Sequence, residues 1–300
     1  MSGVRARLLL LPWLIPVLAS IWAGHAATPR PQLPAFVQIE TAPGGGTVWQ
    51  GPIAFGGLPG YRRPTVVYLP PGASWNERYP VVVLLQGFRG SPYEFVDGVN
   101  LPSVADAEVA DGRLPPFVAV LPPAGPDAQY RGEWAGVWER YLVSAVLPWA
   151  RRRLPIIRNR SAWTLAGLSA GGYGALDIGL RHPRLFGTLE SWSGYFGAPH
   201  DGPLAGAGPG ALVRHDPTLL TRREAPLLRR LRTRFFLSSG TTHDRVATRA
   251  SRTFESELAR LGLLHSVRFA PGGHDGRFWR AQLPAALRYA RAASCELSAR

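Results

Sequence analysis

Lysine is missing altogether from the 300 residues, so the 34 positive side chains are all arginine, and the formal charge is +14. Arginine without lysine is what high-GC codon usage writes. The densest groups, Arg151-Arg152-Arg153 and Arg229, Arg230, Arg232 and Arg234, fall at helix ends or on solvated faces. No patterned basic stripe accompanies the charge, which excludes a nucleic-acid partner, while scattered arginines suit residence near anionic envelope polymers. Cysteine occurs once, as Cys295 in the tail, so no disulfide staples the fold and the core must hold it unaided. Internal repeats and low-complexity blocks are also missing.

Long hydrophobic runs are confined to the start of the chain. Arg5 and Arg7, an apolar run from Leu8 to about Trp22, and Gly24-His25-Ala26 make the three parts of a secretory leader cut after Ala26. Pro12 and Pro16 interrupt the run, which falls short of the roughly 20 residues that a spanning helix needs. An uncleaved anchor is the alternative, and it would be the chain's one contact with a membrane. The expected organisation is a leader over 1–26, a proline-broken linker over 27–46 and a single domain over 47–300, placed outside the cytoplasm in the envelope or medium. At 46% hydrophobic residues, that domain can bury one large core.

What is present is an alternation of buried strands and helices. The spacing predicts antiparallel edge strands over 47–55 and 64–69, then buried strands over 79–85, 117–121, 163–166 and 187–192. Further strands are expected over 234–237 and 266–270, with helices over 103–110, 138–153, 172–180, 245–261 and 277–292. Val246, Phe254 and Leu258 should share the buried face of the helix over 245–261, and 197–210 should form a loop able to cap the site. Such alternation implies an α/β fold with a mostly parallel sheet covered on both faces. Ligands to such sheets collect at the carboxyl ends of the strands.

The chain is organised around residues 161–183. An apolar strand turns sharply through Gly167-Leu168-Ser169-Ala170-Gly171 into a helix on which Tyr173, Leu176 and Leu180 recur at helical spacing. Strand, tight turn and helix are the context that a G-x-S-x-G nucleophile elbow requires. A serine hydroxyl is a weak nucleophile, so it must stand exposed where a histidine can take its proton. A Cβ at Gly167 or Gly171 would collide with the neighbouring strand or helix.

Such a serine needs an acid and then a histidine further along the chain, on loops at the same sheet edge. His274 follows a strand on a Gly272-Gly273 turn and suits the base better than His182, His200, His215, His243 or His265. Asp244 follows the preceding strand and leads as the acid, with helix capping as its other use. Glu224, Asp216, Asp201 and Asp275 are its competitors. The oxyanion donors should be the backbone N–H of Ala170 and that of Phe88, in the loop after the strand ending at Leu85; Gln86 and Arg89 would then face the substrate. The His-Asp dipeptides starting at 200, 215, 243 and 274 lie on separate loops without metal-site spacing, so neither a metal nor another cofactor is expected.

LLQGFRGS, then GLSAGGYGAL with RHPRLFG, then GGHDGRFWR, in that order, resemble the putative-esterase family of α/β-hydrolases over roughly Thr47 to Arg291. That family takes in esterase-D-like carboxylesterases, feruloyl and acetyl-xylan esterases, and secreted mycobacterial mycolyltransferases. The resemblance implies Ser169 as nucleophile, Asp244 as acid, His274 as base, and Phe88 and Ala170 as oxyanion donors. Trp279 matches the family's later tryptophan and would border the substrate. Gln86 stands where many esterases have histidine and mycolyltransferases aspartate, and Gly276 stands where esterases often carry tryptophan.

Three functions follow. The first is hydrolysis of carboxylic esters through an acyl-enzyme. The second is acyl transfer to a sugar or polyol hydroxyl; Trp134, Trp138 and Trp192, if they gather near the cleft, could stack sugars, with core packing as their other use. The third is a non-catalytic basic protein that binds the envelope.

Overall fold

The computed structural model describes residues 33–58, 63–125, 134–200 and 202–298, with side chains as far as Arg291. The expected leader over 1–26 lies outside the described residues, as does Asp201. The described residues open with an antiparallel meander, β1 (Val37–Thr41), β2 (Thr47–Gly51) and β3 (Thr65–Leu69). Next come β4 (Val81–Leu85), α1 (Leu101–Ala110) and β5 (Val118–Leu121). The helices α2 (Val137–Tyr141) and α3 (Leu147–Arg153) precede β6 (Trp163–Leu168), α4 (Ala170–Arg181) and β7 (Thr188–Trp192). After α5 (Pro209–Arg214) and α6 (Pro217–Arg230), the chain closes with β8 (Arg234–Gly240), α7 (Arg245–Arg260), β9 (Leu264–Ala270) and α8 (Gly276–Ser298).

The strands make one nine-stranded sheet in the order β1-β2-β3-β5-β4-β6-β7-β8-β9. From β5 through β4 to β9 all neighbours are parallel, and β3 joins them antiparallel to β5. Strand β4 has β5 on one side and β6 on the other, so the chain winds outward in opposite directions from it. The crevice beyond the carboxyl ends of β4 and β6 is therefore the switch point where such sheets bind ligands.

Alternation along β4 builds the two halves of the core. Val81, Val83 and Leu85 face Trp138, Tyr141, Leu176 and Leu180 from α2 and α4; Val82 and Leu84 face Phe95, Leu101, Phe278 and Leu287 on the α1 and α8 side. Emptying one large core position, such as Trp138→Ala, costs about 3–5 kcal/mol in packing of this kind.

Several expectations are corrected here. The stretch expected to be a linker contains β1, whose VQIET alternation is mostly exposed because it is the sheet's outer edge. Consequently β2 and β3, expected at the edge, are interior strands. Strand β8 runs on through Ser238, Ser239 and Gly240, since its parallel pairing with β9 continues to Gly240 opposite Ala270. The helix expected over 138–153 is interrupted by a π turn, Leu142–Val146, in which Leu147 N–H bonds Leu142 O. Pro148 has no N–H to donate to Ser144 O, so the regular ladder already fails there. Helix α6 lies where the spacing predicts no element, and α5 begins inside the stretch expected to be a loop. On α7, Phe254 and Leu258 are buried as expected, whereas Val246, in the first turn, is 85% exposed.

Candidate active site

Four loops meet beyond the carboxyl ends of the parallel strands, and the tightest is the turn from β6 into α4. Ser169 sits there at φ 54°, ψ −120°, a conformation a non-glycine residue rarely adopts, held by its N–H bond to Trp192 O at 2.8 Å. The two flanking glycines are needed for space. A Cβ on Gly171 would lie 1.9 Å from Leu85 O, and one on Gly167 would lie 2.3 Å from Gly171 O. The elbow thus presses against the end of β4. As the first residue of α4, Ala170 presents an N–H with no acceptor inside the helix.

The loop after β9 brings His274 to this turn, with its Nε2 2.9 Å from Ser169 Oγ. On the imidazole's other side, Nδ1 lies 3.2 Å from Asp244 Oδ2. That contact is close but poorly aligned as a hydrogen bond, and Asp244 Oδ2 has no other bonding partner among the described residues. Asp244 is 7% exposed and occupies the position before α7, yet its side chain caps no helix amide. Asp275, by contrast, caps α8, its Oδ1 accepting from Phe278 N–H at 2.9 Å. The two neighbouring Asp candidates are thereby separated by what each carboxylate touches.

Trp279, expected to border the substrate, is buried at 5% exposure and packs against the base. Its ring meets the His274 imidazole edge-on at 5.2 Å between centroids, and its Nε1 donates to Ser193 Oγ. Gln86 also departs from expectation. At 1% exposure it faces inward, and its Nε2 donates to Gly90 O at 2.8 Å and Ala124 O at 2.7 Å. An inward amide that can satisfy two carbonyls holds the loop rather than a ligand.

That loop is a β-turn closed by Gly90 N–H to Gly87 O at 3.0 Å, with Phe88 and Arg89 at its centre and Arg89 at φ 57°. Phe88 is 42% exposed and its N–H takes no part in the turn's own bond. Arg89 is exposed at the rim, its guanidinium 5.4 Å from the Phe88 ring centroid. Two further side chains fix the turn: Trp134 Nε1 donates to Gln86 O, and Glu94 Oε2 accepts from Gly87 N–H at 3.1 Å. The sequence offers Trp134 only as a stacking candidate and gives no signal for Glu94. Burial pushes the Glu94 carboxyl up from its ordinary value, against the pull of the Gly87 N–H and the His274 charge.

Five of the competing residues have other work. His182 Nε2 lies 2.7 Å from Glu139 Oε1, His215 Nδ1 lies 2.8 Å from Asp177 Oδ2, and His265 Nδ1 lies 2.8 Å from Leu263 O. Asp216 caps α6 through Leu219 N–H, and Glu224 pairs with Arg223. Trp134, Trp138 and Trp192 are all within 2% of full burial, so none offers a platform for a sugar. Among the described residues, no group of three or more His, Cys, Asp or Glu side chains could hold a metal ion.

An α/β sheet with this strand order, carrying a serine on a strained elbow beside a histidine and an aspartate, defines an α/β-hydrolase of the serine type. The sequence profile described as Putative esterase matches residues 58–290, and the chain belongs to that family of serine esterases and hydrolases. Among solved structures, the fold is similar to a ferulic acid esterase, with a TM-score of 0.72 at 21% identity over 83% of this chain and 98% of that one. An S-formylglutathione hydrolase from Agrobacterium tumefaciens gives a TM-score of 0.66 at 18% identity over 86% of this chain and 98% of the other. Among curated sequences, an uncharacterized protein of Corynebacterium glutamicum is 30% identical over 140 residues, 44% of this chain and 32% of that protein. An endo-1,4-beta-xylanase/feruloyl esterase of Xylanibacter ruminicola is 27% identical over 43% of this chain and 19% of its own length. These curated matches thus span a third or less of the relatives they touch.

Proposed function

We propose that this chain is an exported serine esterase that cleaves carboxylic esters through an acyl-enzyme on Ser169. The observation that carries the reading is the continuous path from Asp244 through the His274 imidazole to Ser169 Oγ, with contacts of 3.2 and 2.9 Å. In the first half, His274 Nε2 takes the Ser169 proton as Oγ attacks the ester carbonyl. The tetrahedral oxygen gathers negative charge and accepts hydrogen bonds from the N–H groups of Ala170 and Phe88. Collapse breaks the bond to the alkoxy oxygen, which leaves as an alcohol with the proton held by His274. In the second half, His274 removes a proton from water, the hydroxide attacks the acyl carbon, and the acid departs as Ser169 regains its proton.

Throughout, Asp244 fixes the ring orientation and balances the imidazolium without itself becoming protonated. Arg89, exposed beside Phe88, is the side chain placed to meet a polar or anionic part of the ester. Similarity to ferulic acid esterases supports aryl and short acyl esters as the first substrates to try. Export rests on the three-part pattern of residues 1–26.

Labelling with a fluorophosphonate probe followed by peptide mass spectrometry should place the adduct on Ser169, and Ser169→Ala should remove both the adduct and p-nitrophenyl acetate hydrolysis. Labelling elsewhere, or full activity in that variant, overturns the reading. Comparing the intact mass of the secreted form with that of the full chain tests cleavage after Ala26.

A further inference from the structure

The loop that carries Phe88 is held from beneath by a carboxylate. Glu94 opens the π turn Glu94–Gly98, and its Oε2 accepts the Gly87 N–H at 3.1 Å, reaching back across seven residues. Gly87 is the residue of this loop that abuts the elbow, since a Cβ built on it would lie 3.5 Å from Ser169 Cβ and 3.0 Å from Leu168 Cδ1. The carboxylate also fills the hollow of the turn. A Cβ on Gly90 would come within 2.6 Å of Glu94 Oε2, so the loop is glycine there because the acid occupies the space. Glutamate is costly to seat in a half-buried position unless the position uses its charge. A leucine would fill the hollow and a glutamine would accept the same N–H.

We infer that Glu94 is a positioning residue for the Ser169 reaction: its carboxylate fixes the loop that presents the Phe88 N–H and adds a second negative charge, beyond Asp244, to the field that stabilises the His274 imidazolium. This rests on the assignment of Ser169 and His274 proposed above. Burial favours the neutral acid, while the Gly87 N–H and the His274 charge both favour the carboxylate. As His274 charges during acylation, the attraction between the two grows. The other charged and titratable groups around Glu94 are Tyr93 and Asp97 on its own turn and Arg63 and Arg89 across the adjoining surface hollow. Arg280 reaches the end of that turn from α8 through Gly98 O.

The test compares Glu94→Gln, which keeps an acceptor without charge, with Glu94→Ala, which keeps neither, measuring the pH profile of kcat/KM for p-nitrophenyl acetate alongside Ser169→Ala. Removing a negative charge beside an imidazole lowers its pKa. The acidic limb of Glu94→Gln should therefore move to lower pH by about 0.3–1 unit, with kcat at the plateau reduced about 3–10-fold. Glu94→Ala should lose about 10²-fold in kcat with little change in KM, the scale of removing one oxyanion donor. An unshifted acidic limb in Glu94→Gln overturns the inference even if Glu94→Ala is inactive or does not fold, because a mere strut would move no titration. If Ser169→Ala stays active, the fault lies in the assignment of the nucleophile; if it is inactive and both Glu94 variants match the parent, the inference about Glu94 alone is wrong.

Discussion

Among the described residues, two histidine–aspartate pairs look alike in isolation and differ in everything around them. His274 and Asp244 lie 3.2 Å apart on loops beyond the strand ends, with the imidazole 41% exposed and a serine hydroxyl at its free nitrogen. His215 and Asp177 lie 2.8 Å apart, the imidazole 12% exposed and the carboxylate wholly buried on α4. Around this second pair, Arg181 bonds Glu139 at 2.6 Å, Tyr173 OH donates to His215 O, and His182 joins Glu139. Burial pushes the Asp177 carboxyl up, countered by the His215 bond and the charges of His215 and Arg181. Burial also acts to raise Glu139, but the His182 bond and the charges of Arg181, His182 and His215 outweigh it and hold that carboxyl below its ordinary value. The second pair ties the segment before α6 to α4. An imidazole paired with a carboxylate becomes a general base only where its far nitrogen meets a reactive hydroxyl; elsewhere the same pair is a clasp.

Exchanging the two histidines in turn should separate these roles most widely. His274→Ala is expected to lower kcat by about 10⁴–10⁶-fold with little change in thermal midpoint. His215→Ala should retain activity within an order of magnitude while losing about 1–3 kcal/mol of stability, because Asp177 loses its buried partner. Ester hydrolysis and thermal unfolding, measured on both variants, decide the matter, and an active His274→Ala would erase the contrast.

The aspartates give the next largest effect. Asp244→Asn should cost about 10³–10⁴-fold in kcat by spoiling the imidazole tautomer, whereas Asp275→Asn, which still caps α8, should stay within about threefold. Equal losses in steady-state kinetics would mean that the wrong acid has been chosen. Trp279→Leu, which removes the edge contact to His274 and the bond to Ser193, should lower kcat about tenfold and leave KM alone; a raised KM would mean that the indole touches substrate after all.

The smallest effect tests a carboxyl in neither cluster. Glu190, in the middle of β7, is fully buried, and burial pushes it up to about 8 against the opposing Trp192 indole bond and the Arg234 charge. The folded protein keeps this proton at pH values where the unfolded chain has released it, so stability falls as pH rises from about 4.5 to 8. Glu190→Gln keeps an acceptor for Trp192 and removes that loss. Its thermal midpoint should exceed the parent's by a few degrees at pH 9 and converge with it near pH 5, and parallel curves across that range would reject the buried proton.

The elbow and the parallel sheet could be read from the chain because they are local: a buried run, a glycine-flanked serine and a helix follow one another within 161–183. His274 and Asp244 were legible as the residues after the last two strands, given that the sheet brings those ends together. What could not be read were contacts that depend on side-chain direction across long separations. Gln86 sits in the expected loop but turns inward to Ala124 O, 38 residues away, and Glu94 looks like any helix-start acid until Gly87 is found against it. Strand β1 is short, exposed and set among prolines and glycines, and α6 carries Pro226 and a run of charges, so both lacked the hydrophobic signal that marks an interior element. Trp279 was placed near the site by resemblance; only its neighbours show that it braces the histidine.

The seat of Ser169 has a consequence for anyone trying to toughen this enzyme. Its backbone angles are ones that glycine occupies freely and serine adopts at a cost of about 1–3 kcal/mol. A design procedure guided by thermostability alone would write glycine at 169, and, if Ser169 is the nucleophile as proposed, it would return a sturdier molecule that has been disarmed.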